Sequence, residues 1–172
     1  KSVLASSYTN FELLISDDCS KDDTWEIIQK YRKKDSRIII HQNENNIGEY
    51  PNREVCINKA IGKYLIFIDG DDMIYPMGLE FAVNEIEKFP SSAIALAMQW
   101  RDYVFYPYLL KPIENLNFTY FGDGFLNNSF AQSLFKTEIL KAHLPFPNNI
   151  RSGDSYIKKK ISVNNSKSSI AL

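Results

Sequence analysis

The chain has few of the residues that build disulfide frameworks, metal–sulfur sites and membrane spans. Only two cysteines and two histidines occur among 172 residues. Cys19 and Cys56 show no close metal-ligand spacing, and two such cysteines make no disulfide framework. The longest apolar run, residues 93–98, is far too short to cross a bilayer. We therefore expect a reducing, cytoplasmic environment and no transmembrane segment.

An excess of charge of either sign is also missing. The chain carries 20 basic and 21 acidic residues, for a formal net charge of -1. Proteins that bind the phosphates of nucleic acid need a basic surface, so nucleic acid is not an expected partner. Apolar residues make up 44% and charged residues 24%, as is typical of a folded globular domain. We expect one domain over residues 1–161 and a poorly ordered tail over residues 162–172.

The most informative stretch is an apolar run that ends abruptly in carboxylates. Residues 64–68 are aromatic and β-branched in character, which predicts a strand buried on both faces of a parallel sheet. Asp69, Asp71 and Asp72 follow at once. Carboxylates at the carboxyl end of a central strand lie where open α/β sheets bind ligands, and hard oxygen ligands suit Mg2+ or Mn2+. The alternative is an acidic turn in which Asp72 caps the next helix.

Strand and helix patterns alternate along the first hundred residues. Strands are predicted at residues 11–16, 37–41, 64–68 and 93–98. Helices are predicted after the capping pattern of Ser20 and Asp23, with an apolar face over residues 25–31, and at residues 51–61 and 76–89. This order indicates an α/β domain with a mostly parallel sheet flanked by helices. Right-handed crossovers would place Asp17 and Asp18, which end the first strand, at the same sheet edge as Asp69. Beyond residue 100 we expect irregular loops and short strands, then helices at residues 137–143 and 155–161.

Four segments, taken in order, resemble the motifs of family 2 glycosyltransferases, the inverting enzymes of the GT-A fold. They are residues 11–24, residues 46–53, residues 62–72 with the DxD motif, and residues 133–140 followed by Gly153-Asp154. The resemblance covers roughly residues 2–161 and implies the Rossmann-like GT-A sheet. In the family an acidic residue usually precedes the counterpart of Asp154, and Asn usually follows the counterpart of Arg53. This chain has Gly153 and Glu54 instead.

The resemblance implies a donor site on the first three motifs. Asp17 and Asp18 would bind the nucleotide base, with uracil expected, and Arg53 would lie beside the base or the ribose. Asp69 would face the ribose and the metal site. Asp71 would bind the Mn2+ or Mg2+ that bridges the donor phosphates. The alternatives are structural: Asp17 and Asp18 cap the following helix, and Arg53 pairs on the surface with a neighbouring glutamate.

The fourth motif implies the catalytic base. Asp154 would take the proton from the acceptor hydroxyl, because attack on an anomeric carbon needs a deprotonated nucleophile. One base with no covalent partner fits inversion of the anomeric centre. The alternative is that Asp154 caps the N-terminus of the last helix.

The implied function is metal-dependent transfer of a sugar from a nucleotide-sugar donor, expected to be a UDP-sugar, to a saccharide or lipid-linked saccharide in bacterial surface polysaccharide assembly. Peripheral association with the inner face of the membrane fits such an acceptor. The alternative is a truncated or degenerate transferase domain that binds nucleotide or a partner without turnover. It stays open because Lys1 falls after the family's first strand, so the sequence is expected to be incomplete at its amino end. A metal-dependent phosphatase is a weaker alternative, since residues 69–73 lack the Asp-x-Thr spacing.

Overall fold

The computed structural model describes residues 1–96, 108–121, 133–147, 152–164 and 169–171. Within these ranges the strands are β1 (Leu13–Asp17), β2 (Ile38–Gln42), β3 (Tyr64–Ile66), β4 (Ile94–Leu96), β5 (Tyr108–Leu110), β6 (Ser133–Lys136) and β7 (Ser169–Ala171). The helices are α1 (Thr24–Arg32), α2 (Glu49–Lys59), α3 (Gly78–Lys88), α4 (Pro112–Phe121), α5 (Thr137–Ala142) and α6 (Gly153–Asn164). A single 3-10 turn, Val3–Ala5, precedes them. None of the helices in the described ranges is both long enough and apolar enough to cross a membrane.

The strands form two hydrogen-bonded groups. Strands β1 and β2 are parallel, with Leu13 opposite Ile38 and Asp17 opposite Gln42. The other five strands lie in the order β3-β6-β4-β7-β5. Strand β6 runs antiparallel to both β3 and β4, and β5 runs antiparallel to β7, whereas β4 and β7 are parallel.

The predicted α/β class, with helices flanking the sheet, is confirmed, and the strand directions are more mixed than predicted. Among the described strands, three of the five pairings are antiparallel. The reason lies in β6, all four residues of which are buried. A strand covered on both faces is apolar or small whichever way it runs, so its composition does not reveal its direction.

Two apolar layers hold the helices to the sheet. On one side Ile57 of α2, Leu140 of α5 and Ile157 of α6 pack with Phe135 of β6, and all four are fully buried. On the other side Ile86 of α3 packs against the sheet. Burial of a large apolar side chain contributes about 1.5–3 kcal/mol, so these contacts hold α2, α5 and α6 against the sheet.

The carboxyl-terminal third holds more regular structure than predicted. Helix α4 begins at Pro112, and the carboxylate of Glu114 accepts the backbone N–H of Lys111 at 2.8 Å, as in a helix N-terminus. Helix α6 continues past residue 161 to Asn164, and Ser162 is buried at 3% exposure. Strand β7 then pairs with β4 and β5. Residues 162–164 thus belong to α6 and residues 169–171 to β7, whereas residues 165–168 and 172 lie outside the described ranges. The poorly ordered tail expected over residues 162–172 stays a prediction.

Candidate active site

Asp17 ends β1 and closes the turn that leads to α1. Its carboxylate accepts the hydroxyl of Ser20, the backbone N–H of Ser20 at 3.2 Å and Nε2 of Gln42 at 2.9 Å. The side chain is only 4% exposed. In the same turn Cys19 has φ +64°, a left-handed conformation that few non-glycine residues adopt. The contacts of Asp17 thus stabilise the loop that carries Asp18.

Asp18 holds the loop that follows β2. Its Oδ1 accepts the backbone N–H of Ile47 and Nδ2 of Asn43, and its Oδ2 accepts the N–H of Gly48, each at 2.9 Å. Partial burial raises the pKa of this carboxyl, but the hydrogen bonds from Ile47, Asn43 and Gly48 together bring it below its ordinary value. Gly48, at φ +91°, precedes the first residue of α2. Asp18 therefore fixes the entry into α2.

An amide network joins the same loop to β1. Nδ2 of Asn43 donates to Oδ1 of Asn52 at 2.8 Å, and Ser16 donates its hydroxyl to that oxygen at 2.7 Å. Nδ2 of Asn52 returns a hydrogen bond to the Ser16 carbonyl at 3.1 Å. Sequence reasoning gave Asn43 and Asn52 no role of their own. The sequence signals were that Asn43 lies just after a strand end and that Asn52 lies in the second motif, just before Arg53.

Arg53 joins α2 to the carboxyl end of β3. Its Nη2 lies 2.7 Å from Oδ1 of Asp69 and 3.1 Å from Oε1 of Glu49. The guanidinium carbon also lies 5.2 Å from the centre of the Phe67 ring. The Arg53 side chain is 14% exposed and that of Asp69 is 36% exposed. Arg53 therefore pairs with Glu49, as the structural alternative predicts, and it also reaches Asp69, sixteen residues further along the chain. Its place beside a base or a ribose stays a prediction.

Asp71 lies on an exposed turn closed by a hydrogen bond from the Asp72 N–H to the Asp69 carbonyl, at 3.0 Å. Among the described residues, no three acidic, histidine or cysteine side chains lie close enough together to hold a metal ion by themselves. Mg2+ and Mn2+ sites that take one or two carboxylates plus substrate phosphates need no such cluster. The exposed carboxylate of Asp71, two residues after Asp69, fits a metal site of this kind.

Asp154 lies in the first turn of α6, which begins one residue earlier. Both hydrogen bonds described at its carboxylate end on Oδ1, from the Ser152 hydroxyl at 2.7 Å and the Ser155 N–H at 2.9 Å. One turn further along, Lys158 is fully buried. Burial lowers the pKa of Lys158 to about 8, against the opposing charge of Asp154 and with that of Lys159. Gly153, the residue before Asp154, lies against the ring of Tyr50 in α2.

Strand-end carboxylates, a rigid loop and one arginine thus meet at the start of α2, an arrangement typical of α/β domains that bind a ligand at the carboxyl edge of the sheet. The chain belongs to the family described as "Glycosyl transferase family 2", whose family model matches residues 1–144. The predicted family and the predicted class of enzyme, a glycosyltransferase, are confirmed. The roles of the individual site residues and inversion stay predictions.

Curated relatives match part of the chain. It is 44% identical over 72 residues to the UDP-Glc:alpha-D-GlcNAc-diphosphoundecaprenol beta-1,3-glucosyltransferase WfaP of Escherichia coli, covering 42% of this chain and 28% of that protein. It is 42% identical over 71 residues to the putative teichuronic acid biosynthesis glycosyltransferase TuaG of Bacillus subtilis, covering 41% of this chain and 28% of that protein. The chain thus spans under a third of the length of either relative.

Solved structures match the whole chain. The structure of Staphylococcus aureus TarS 1-349 in complex with UDP superimposes with a TM-score of 0.78 and 25% identity, covering 99% of this chain and 52% of that one. A mannosyltransferase of Pyrobaculum calidifontis, in complex with GDP-Man and Mn2+, has a TM-score of 0.72 at 16% identity and shows likeness of fold alone. These matches confirm the GT-A-like fold.

Proposed function

We propose that this domain binds a UDP-sugar and transfers the sugar, with inversion, to a hydroxyl of a saccharide or lipid-linked saccharide in surface polysaccharide assembly. The observation that carries the proposal is the Arg53–Asp69 pair, placed beside the loop that Asp18 holds, in a family 2 domain. The likeness to TarS in complex with UDP and with UDP-GlcNAc supports a uridine nucleotide. A position at the cytoplasmic face of the membrane stays a prediction.

We call the part of the site proposed to bind the nucleotide-sugar donor, which is Asp17, Asp18, Arg53 and Asp69, the donor side. Its side chains are held in place before a ligand binds. Asp17 and Asp18 each use both carboxylate oxygens to order the loops around them, and one oxygen of each carboxylate accepts two hydrogen bonds. The guanidinium of Arg53 is held by Asp69 and by the face of Phe67, so it loses little freedom on binding a nucleotide. A preorganised rim of this kind reduces the entropic cost of ligand binding.

The metal side is assigned to Asp71, with Asp69 as a second carboxylate. A divalent cation there, when bound, neutralises the negative charge that develops on the leaving diphosphate. Arg53 already balances part of the Asp69 charge. Asp71, on an exposed turn, is therefore the carboxylate that is available to a metal–nucleotide complex.

Nucleotide titration, by calorimetry with and without Mn2+, tests the donor side. We expect Asp71→Asn to weaken Mn2+-dependent UDP binding roughly 10-fold to 100-fold, because it removes a charged oxygen ligand. Asp72→Asn is the matched control: it removes the same charge one residue away, on the same exposed turn. Equal UDP affinity in wild type and Asp71→Asn would refute the metal assignment.

Single-turnover transfer tests the base. Asp154→Asn keeps an Oδ1 that can accept the Ser152 hydroxyl and the Ser155 N–H, so the variant should fold. The transfer rate should fall roughly 100-fold to 10,000-fold, the usual contribution of a positioned general base, while UDP affinity is unchanged. A residue that only stabilises the helix start would instead cost about 1 kcal/mol of stability and leave the rate of the folded protein intact. UDP binding by a wild type that transfers no sugar would favour the alternative, a binding domain without turnover.

A further inference from the structure

The ring of Tyr50 fills the space where a side chain at position 153 would lie. A Cβ built on Gly153 would stand 2.3 Å from Cε1 of Tyr50, 2.5 Å from Cδ1 and 2.7 Å from Cζ. Carbon atoms in contact are ordinarily 3.5–4.0 Å apart. Gly153 does not need a left-handed backbone, so packing against Tyr50 is the reason that glycine stands here.

The ring has little room to move aside. Tyr50 lies in the first turn of α2 and packs against the main apolar core. Its ring centre is 5.4 Å from that of Phe146, which is 4% exposed. The backbone N–H of Phe146 in turn donates to Oε1 of Glu54, one turn further along α2. Two contacts from α2 therefore hold Phe146, which lies seven residues before the start of α6.

The same turn of α2 belongs to the donor side. Glu49, which precedes Tyr50, binds Arg53, and Arg53 binds Asp69 at 2.7 Å. Asp154 follows Gly153 directly. The first turns of α2 therefore contact Asp69 through Arg53 and the start of α6 through Tyr50.

We propose that Tyr50 is a positioning residue for Asp154: its ring, seated on the bare backbone of Gly153, sets the distance between the start of α6 and the donor side. This inference rests on the proposed function, in which Asp154 is the base. Chemistry at an anomeric carbon needs the base within hydrogen-bond reach of the acceptor hydroxyl, and a displacement of about 1 Å can cost roughly 100-fold in rate.

A double-mutant cycle, measured by thermal unfolding, tests whether the Tyr50 ring packs against Gly153. Gly153→Ala should lower Tm by roughly 3–10 °C, the expected effect of overpacking in a chain of this length. In the Tyr50→Ala background the same substitution should leave Tm unchanged or raise it, since alanine favours a helix over glycine. Gly78→Ala is the matched control, because Gly78 also begins a helix and its nearest obstacle, Cβ of Tyr75, is 3.9 Å away. Equal effects of Gly153→Ala in both backgrounds would overturn the seating.

Transfer kinetics test the positioning. Tyr50→Phe keeps the ring and should keep the single-turnover rate within about twofold. Tyr50→Ala should lower that rate roughly 10-fold to 100-fold with little change in UDP affinity. The double variant Tyr50→Ala/Gly153→Ala should regain stability and not rate, which is a result that a purely structural role of Tyr50 does not give. Tyr50→Leu replaces Tyr50→Ala if the latter does not fold.

The outcomes separate the two proposals. A folded Tyr50→Ala or Tyr50→Leu protein that transfers sugar at the wild-type rate would overturn the positioning role and leave the proposed function intact. A wild type that neither binds UDP nor transfers sugar would refute the proposed function and the catalytic part of this inference together. The unfolding cycle would still decide whether Tyr50 and Gly153 are interlocked.

Discussion

Burial of the Lys158 amine affects the stability of the fold. It is fully buried on α6, and its Nζ lies 3.4 Å from Oγ of Ser133, which is also fully buried. Burial lowers its pKa from 10.5 to about 8; the charge of Asp154 acts in the opposite direction and that of Lys159 adds to the lowering. Folding therefore disfavours the charged form of this amine.

The lowered pKa of Lys158 implies a stability penalty that depends on pH. A fall in pKa from 10.5 to about 8 corresponds to about 3 kcal/mol, at about 1.36 kcal/mol per pH unit. Below pH 8 the amine is protonated in both states, so the full penalty is present. Between about pH 8 and 10.5 the unfolded chain holds a proton that the folded protein has lost, and stability due to this group rises with pH.

Lys158→Met tests this reasoning, because methionine keeps the unbranched length without the charge. At pH 7 the variant should be more stable than wild type by up to about 3 kcal/mol, less the cost of leaving the Ser133 hydroxyl with one fewer partner. The difference should shrink steadily as pH rises from 8 to 10.5. Chemical denaturation across that pH range measures it, with the half-buried neighbour Lys159→Met as the matched loss of a positive charge. A difference that stays constant with pH, or grows, would refute the reasoning.

Two further predictions concern the donor side. Arg53→Lys should reduce UDP affinity roughly 10-fold with little loss of Tm, because a lysine cannot hold Asp69 and stack on Phe67 at once; calorimetry measures the first and differential scanning the second. Asp18→Asn should cost about 1–3 kcal/mol at pH 7, since an amide NH2 would face loop N–H donors. The pKa of Asp18 is lowered on folding, so its contribution to stability is present above its ordinary value of 3.8 and is lost as pH falls through the folded value. Wild type and Asp18→Asn should accordingly converge in strongly acidic solution.

Local sequence patterns predict the first half of the fold closely. The apolar run at residues 64–68 contains β3, and the apolar spacing after Ser20 predicts α1. The start of α2 is displaced from the prediction: the helix begins at Glu49 and not at Pro51. The cause is Asp18, which binds the Gly48 N–H and orders the chain two residues earlier than proline does. That contact joins residues thirty apart, so no local pattern contains it.

The candidate site shows the same difference between what local patterns predict and what depends on contacts between distant residues. Motif order gives Asp18, Arg53 and Asp69 as neighbours at the edge of the sheet, and the structure brings Arg53 and Asp69 together. The seating of Tyr50 on Gly153 has no sequence signal, because it depends on how α2 and α6 pack across about a hundred residues. An isolated glycine at a helix start is also common for reasons of backbone freedom alone. Only the position of the Tyr50 ring distinguishes the two cases.

The two departures from the family pattern at these motifs, Glu54 and Gly153, belong to one packing arrangement. Glu54 binds the backbone of Phe146, Phe146 packs against Tyr50, and Tyr50 occupies the volume of a side chain at position 153. With an acidic side chain at position 153, the Tyr50 ring would have to leave and Phe146 would lose its partner. With asparagine at position 54, the Phe146 N–H would lose a charged acceptor, which is worth more than a neutral one. Glu54 and Gly153 are therefore suited to each other through Tyr50. The glycine at position 153 alters how the proposed base, Asp154, is held, without removing Asp154 itself.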